Sequence, residues 1–327
     1  MSVGSVPRNP VPVPSAWSMG RVLPAVLGPL VVVLLVARLP HLTGTTWTAV
    51  RALLASVPVR DLALLGSLWA LSVWCHSWVL TGALPGLTRS RAIMLNLAGS
   101  AVGDVVPFGG AAGAGMNLSM ISSWHFPRSR SMTFLAVSNL WNVASKLLLP
   151  VLVLAVVCVR GTSSVPGLKI ASVVAGGVLG SVVVGVVVVL AAGRGGAAEW
   201  LRGDAMAVIT RGWRQLTLGM LGQLAVQAVL WSLCLQLVGV AAPLGVSMVG
   251  FALERALTMV PLTPAGAGLA EAGSLSALVA LGADPASASA AVLLFRTFAY
   301  LLEIPAGGVS ILAWLWSRDR AAMGTTA

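Results

Sequence analysis

Arg296, Tyr300 and Glu303 sit in the stretch LLFRTFAYLLEIPAGG, among apolar neighbours. At helical spacing the three fall on one narrow face, together with Gly307. The planar fork of an arginine matches phosphate or carboxylate oxygens, and Tyr300 is the single tyrosine of the chain. A second acid, Glu271, comes near the end of MVPLTPAGAGLAEAG, residues 259–273. A charged side chain at the centre of a bilayer is disfavoured by about 2.5–3.5 kcal/mol, so each of these groups should face a partner or water. Two chemistries follow. Arg296 forms a structural ion pair with Glu271 or Glu303, or it receives an anionic head group. A bridge that is closed when empty and opens to a ligand would do both.

The first half of the chain carries its own polar set. Asn139, Asn142 and Lys146 recur at helical spacing inside an apolar run. Lys146 either snorkels along a cavity or pairs with Asp104 or another acid. Asp104 shares a face with Asn96 and Ser100, at steps of four, and precedes VVPFGGAAGAG. Gln223 and Gln227 read as a hydrogen-bonding pair between helices. Of the neighbours Glu254 and Arg255, one is expected to reach the membrane interface. Cys75, Cys158, Cys234, His41, His76 and His125 are scattered without metal-ligand spacing, so no metal and no cofactor is expected. Neither a nucleophile motif, a paired-acid motif nor a nucleotide-binding loop is present, and the chain is not expected to be an enzyme.

Positioning such groups in apolar surroundings is the task of membrane helices. Hydrophobic residues make up 57% of the 327 positions and charged residues 9%, and the mean hydropathy is +0.94. Runs such as 22–39, 173–193 and 218–240 are long enough to cross a ~30 Å hydrocarbon core. Alternation at the strand period is absent, which excludes a β-barrel. Residues 1–21 read as a disordered cytoplasmic tail, without the pattern of a cleaved signal peptide. The formal charge of +11 points to membrane orientation and not to nucleic acid. With the N-terminus inside, Arg8, Arg21, Arg89, Arg91, Arg128, Arg130, Arg194, Arg202, Arg211, Arg214, Arg318 and Arg320 become cytoplasmic, against five basic residues outside.

That orientation obliges the broken segment between Arg91 and Arg128 to begin and end on the cytoplasmic side, as a re-entrant helical hairpin. A second broken segment, about 243–282, must begin and end outside. The sequence therefore predicts an all-α polytopic integral membrane protein of about six full spans plus two re-entrant hairpins. Spans fall near 22–39, 62–81, 132–159, 168–192, 215–238 and 286–315, and hairpins near 92–124 and 243–282. One transmembrane domain covers 22–316, with halves at about 22–159 and 168–316, and 317–327 form a second cytoplasmic tail. Three crossings per half give the halves opposite orientations, which makes an inverted repeat.

The two hairpin tips are alike: Pro107, Gly109, Gly110 and Gly113 in one, Pro264, Gly266 and Gly268 in the other. Glycine permits close backbone approach, and exposed amides at a half-helix N-terminus attract anions. An irregular tip survives in a membrane only where protein or a wet cavity surrounds it. Small residues that merely allow tight helix packing would explain the glycines but not the prolines and acids beside them.

Residues 260–308 resemble the signature end of the lysylphosphatidylglycerol synthase transmembrane-region family. The pattern is a proline-glycine tip, a glutamate shortly after it, an arginine-bearing helix, an aromatic position and a closing proline and glycine. Pro264, Gly266, Gly268, Glu271, Arg296, Pro305 and Gly308 occupy the matching positions. The first tip departs from the pattern, since GMN follows it where many relatives carry a basic residue. The resemblance implies a lipid-handling membrane domain, like the flippase-like domain of multiple peptide resistance factor proteins. The chain ends shortly after the last span, so synthase activity is not carried over. The function expected is translocation of an anionic phospholipid or polyprenyl-phosphate lipid between the leaflets of a bacterial plasma membrane. Its groove is lined by Glu271, Arg296, Tyr300, Glu303, Lys146, Asn142 and Asp104. The alternative is a noncatalytic membrane subunit supporting a separately encoded glycosyltransferase or lipid synthase, and a transferase using Glu271 as base is disfavoured.

Overall fold

The computed structural model describes residues 44–106, 109–159, 196–259 and 263–324, and every regular element among them is helical. The helices are α1 (Trp47–Ala55), α2 (Val59–Ala83), α3 (Arg89–Val105), α4 (Gly109–Ser123), α5 (Arg128–Val159), α6 (Gly196–Leu237), α7 (Leu244–Leu257), α8 (Leu269–Ala280), α9 (Pro285–Arg296) and α10 (Glu303–Gly324). A 3₁₀ turn, Pro264–Gly266, precedes α8, and a π turn, Thr297–Leu301, joins α9 to α10.

Among the described residues, four segments are long and apolar enough to cross a membrane: Val59–Ala83, Arg128–Val153, Gly203–Leu237 and Pro285–Arg318. They coincide with the predicted spans at 62–81, 132–159, 215–238 and 286–315. The predicted spans at 22–39 and 168–192 lie outside the described residues, as does Pro107 of the first tip. Leu148, Leu152, Leu218, Leu221, Val309 and Leu312 are exposed on these segments, as side chains facing lipid tails should be.

Two features differ from the sequence expectation. Short helix α1 lies between the predicted spans 22–39 and 62–81, where no element was predicted; Thr46 caps it by accepting from the Ala49 N–H at 3.4 Å, and Val50 anchors it by complete burial against α9. Helix α6 begins 19 residues before the expected start, at 42 residues. That is about 63 Å of helix, roughly twice the hydrocarbon thickness. Its first half therefore carries Arg211 and Arg214 as exposed positions.

Both broken segments form helix pairs. Helix α3 packs on α4, and α7 packs on α8. Glycine sets the first crossing: a Cβ on Gly109 would collide with the Gly103 carbonyl, and one on Gly113 with the Gly99 carbonyl. The remaining contacts correspond under exchange of the two halves. Helix α3 packs on α10, the span after the second pair, and α7 packs on α5, the span after the first. Helices α2 and α6, which precede the two pairs, pack on each other. Their interface is tight at Gly219, where a Cβ would stand 2.9 Å from Trp78 Cβ. Gln215 Nε2 donates to Thr81 Oγ1 at 2.8 Å, and His76 Nδ1 lies 2.7 Å from Gln223 Oε1.

Two apolar clusters follow the same division. One gathers Trp231, Phe251 and Phe295 around α7 to α9, with the Trp231 and Phe295 rings edge to face at 5.1 Å. The other gathers Leu95, Met120, Phe134 and Leu216 around α3 and α4.

Candidate functional site

The second tip shows how a broken helix is fixed. Ala265, Gly266 and Gly268 have φ of 51°, 66° and 87°. A Cβ on Gly266 would stand 2.7 Å from Thr258 Cα, so both backbone strain and close approach require glycine there. The Gly268 N–H donates to Glu271 Oε2 at 2.6 Å, placing the carboxylate over the N-terminus of α8, where the helix dipole favours negative charge. The other Glu271 oxygen accepts from Arg296 Nε at 2.6 Å.

Each nitrogen of the Arg296 guanidinium has a partner. Nη1 donates to Glu254 Oε1 at 3.1 Å, Nη2 donates to the Ala265 carbonyl at 3.1 Å, and the Tyr300 ring lies 4.0 Å beneath the guanidinium carbon. Glu254, Glu271 and Arg296 are 0%, 4% and 7% exposed. Of the pairings left open by the sequence, Glu271 is a partner of Arg296 and Glu303 is not. The arginine ties α7, the tip, α8 and α9 into one unit.

A cavity of about 580 Å³ lies beside this clamp, and its walls come from α2 to α7, the second tip, the π turn and α10. Asp104, Asn142, Lys146, Tyr300 and Glu303 line it, as do Gly109, Gly110, Gly113 and Gly266. Pro264, Gly268, Glu271 and Arg296 do not; they stand behind the wall. Asn96, Ser100 and Asn139 line the cavity too, in line with the helical faces on which the sequence placed them.

The expected single face of Arg296, Tyr300, Glu303 and Gly307 is divided by the π turn. The Leu302 N–H reaches back five residues to the Thr297 carbonyl at 2.9 Å, which rotates later residues relative to an ideal α-helix. Pro305 supplies the reason: it has no N–H for the Leu301 carbonyl, and its ring would press against that oxygen. Glu303 stays with Tyr300 on the cavity wall, which Ser100 also lines. Gly307 instead meets α3, where a Cβ would strike the Leu97 carbonyl and Ala101.

Glu254 and Arg255 are both buried, and neither reaches the interface. Arg296 draws Glu254 to one side, while Arg255 is 7% exposed, lines the cavity and donates from Nη1 to the Tyr300 hydroxyl at 3.1 Å. His76, Asn117 and Arg255 are cavity residues that the sequence did not single out as a site. Gln223 makes the expected contact between helices through His76, whereas Gln227 faces the cavity with its Oε1 unpaired.

Among the described residues, Asp104, Lys146, Arg255 and Glu303 make no ion pair within 4 Å. The buried Asp104 Oδ2, Asn117 Oδ1 and Arg255 Nε have no hydrogen-bond partner. In helix α5, Pro150 also removes the helical donor for the Lys146 carbonyl. Four ionisable groups thus converge on one space without forming an ion pair by contact. The model of the lysylphosphatidylglycerol synthase TM region matches residues 25–307.

The chain belongs to this family. No curated protein matches it. As a member of the lysylphosphatidylglycerol synthase TM-region family it is a multi-pass membrane protein of a lipid-handling kind. The match takes in both helix pairs, the clamp, and the cavity residues up to Glu303.

Proposed function

We propose that the chain is a lipid translocator in which the cavity admits a charged or polyprenyl-linked head group while its tails remain in the bilayer. The observation that carries this reading is the cavity itself. It is bounded by both broken helix pairs, and Asp104, Lys146, Arg255 and Glu303 line it without ion pairs. Ionisable groups kept unpaired inside an apolar bundle belong to a pathway, because a purely structural role favours pairing them. The first turn of α4, at Gly109, Gly110 and Ala111, opens on the same space without an acidic residue. Its free N–H groups favour negative charge. Glu271 and Arg296 serve in this account as positioning residues for the second tip.

The proposed topology has six spans and two re-entrant hairpins in an inverted repeat, with both termini on the cytoplasmic side of a bacterial plasma membrane. Correspondence of helix contacts under exchange of the halves supports the repeat. The arginine-tryptophan pairs support the orientation. Arg89 lies over Trp74 and Trp78, Arg91 over Trp124, Arg214 over Trp213 and Arg318 over Trp314. All four arginines belong to the cytoplasmic set, and tryptophan favours the membrane interface. A cysteine introduced beside Arg128 should be labelled from the cytoplasmic side; labelling from outside would break the topology.

Reconstitution in liposomes tests the function. Labelled phosphatidylglycerol, aminoacylated phosphatidylglycerol and a polyprenyl phosphate are followed between leaflets. Acceleration of at least one over protein-free vesicles supports translocation. No acceleration of any of them favours the noncatalytic-subunit reading.

A further inference from the structure

We infer that Arg255, with Lys146, forms the subsite that holds the phosphate of the head group entering the cavity. The inference rests on the translocation reading for its biological ligand, but the subsite stands on its own geometry.

Arg255 lies at the C-terminal end of α7, is only 7% exposed and lines the cavity. A buried guanidinium ordinarily has a carboxylate partner. Arg255 has none within 4 Å among the described residues. Its sequence neighbour Glu254 is committed to Arg296. Of the Arg255 nitrogens, Nη1 meets the neutral Tyr300 hydroxyl and Nε is buried without an acceptor. The fork is therefore held in direction by Tyr300 while hydrogen-bonding capacity stays open. Arg296 lies outside the cavity, and each of its three nitrogens already meets an oxygen, on Glu271, Glu254 and the Ala265 carbonyl.

Lys146, on α5, supplies a second positive charge in the same cavity. His76 on α2 lines the same cavity. Gln227 on α6 is 7% exposed and lines the cavity; its amide nitrogen is able to donate to an oxygen. A phosphate oxyanion supplies what this wall lacks: acceptors with negative charge, matched to a planar fork and a point charge. Asp104 on α3 and Glu303 on α10 also face the cavity. They disfavour a bare multivalent anion and leave room for an amine or hydroxyl attached to the phosphate. A phosphodiester head group satisfies both walls better than free phosphate does.

The test is calorimetric titration of the purified full-length chain in detergent with four probes. These are short-chain phosphatidylglycerol, short-chain phosphatidylethanolamine, the matching diacylglycerol and inorganic phosphate. Wild type should bind both phospholipids and leave the diacylglycerol unbound. Arg255→Gln should weaken both phospholipids by about tenfold or more, and Arg255→Lys should fall between, since charge remains and the fork is lost. Lys146→Gln, which tests the same subsite from another helix, should weaken both as well. Arg211→Gln, an exposed position on α6, is the control and should bind as wild type does. Thermal unfolding of each variant shows that the folded chain is being compared.

Phospholipid affinity within twofold of wild type in folded Arg255→Gln and Lys146→Gln would overturn the subsite. Equal binding of diacylglycerol would do the same. Inorganic phosphate binding as tightly as the phospholipids would remove the lipid as the ligand. Binding that behaves as expected without lipid movement in liposomes would leave the subsite standing and overturn translocation. Lipid movement with unaltered binding in the variants would do the reverse.

Discussion

The first broken helix pair, α3 with α4, and the second, α7 with α8, solve the same backbone problem with opposite use of charge. At the second tip Glu271 spends one oxygen on the Gly268 N–H and one on Arg296, and Arg296 reaches the Ala265 carbonyl and Glu254 as well. The N-terminus of α8 is capped and the tip is tied to α9. At the first tip the helix crossing is set by Gly103 and Gly109 in backbone contact. Among the described residues, Asp104 Oδ2 and Asn117 Oδ1 have no partner, and α4 begins without an acid. A clamp that consumes its charges holds structure; charges left over at the cavity wall are available to a ligand.

The largest effect is expected from breaking the clamp. Arg296→Ala strands two buried carboxylates, a loss of about 3–5 kcal/mol. Thermal unfolding in detergent should show a sharply lowered midpoint, and an unchanged midpoint would mean that the second tip is not held by charge. Gly109→Ala probes the other tip by shape alone. Its Cβ must displace the Gly103 backbone, at a cost of about 1–3 kcal/mol, read from the same transition; no loss would show that the first crossing is loose.

A smaller effect belongs to the N-terminal end of α9, the helix whose last residue is Arg296. Asp284, just before the span and exposed, accepts the Ser287 N–H at 2.9 Å. That N–H holds its carboxyl below the usual carboxylate range. Its contribution is therefore complete above the ordinary carboxylate pKa and disappears as pH falls through the lowered value. Asp284→Ala should remove about 1 kcal/mol at neutral pH, while Asp284→Asn keeps the cap and loses its pH dependence. A pH dependence persisting in the asparagine variant would assign it elsewhere.

The smallest stability effect is expected where charge is unpaired. Asp104→Asn should leave the midpoint within about 1 kcal/mol of wild type, with altered lipid movement in liposomes. A loss comparable to that of Arg296→Ala would make Asp104 part of a structural pair and erase the contrast between the tips.

Much of this division was legible from residue spacing. The apolar runs located the four described spans, the glycine and proline clusters located both helix breaks, and the steps of four placed Asn96, Ser100 and Asp104 on one wall. Helical spacing likewise brought Asn139, Asn142 and Lys146 together. What spacing could not reveal was which charges would be consumed. Glu254 and Arg255 are adjacent, so an ideal helix sends them about 100° apart; burying both requires a partner on each side, Arg296 and Tyr300, from another element. Across the π turn Tyr300 and Glu303 stay together on the cavity wall, as the spacing predicted, and the regular period failed only for Gly307, which turns against α3. Pro305, four residues after Leu301, was the signal for that break.

Pairing a cavity variant with a clamp variant tests the central claim most directly: lipid movement in liposomes, per folded molecule, for Lys146→Gln and Glu271→Gln. The account predicts that Lys146→Gln keeps the wild-type unfolding midpoint and slows movement by about tenfold. Glu271→Gln should unfold earlier and move lipid within about twofold of wild type per folded chain, because its carboxylate stands behind the wall. Wild-type movement in Lys146→Gln, together with loss of movement in folded Glu271→Gln, would contradict it.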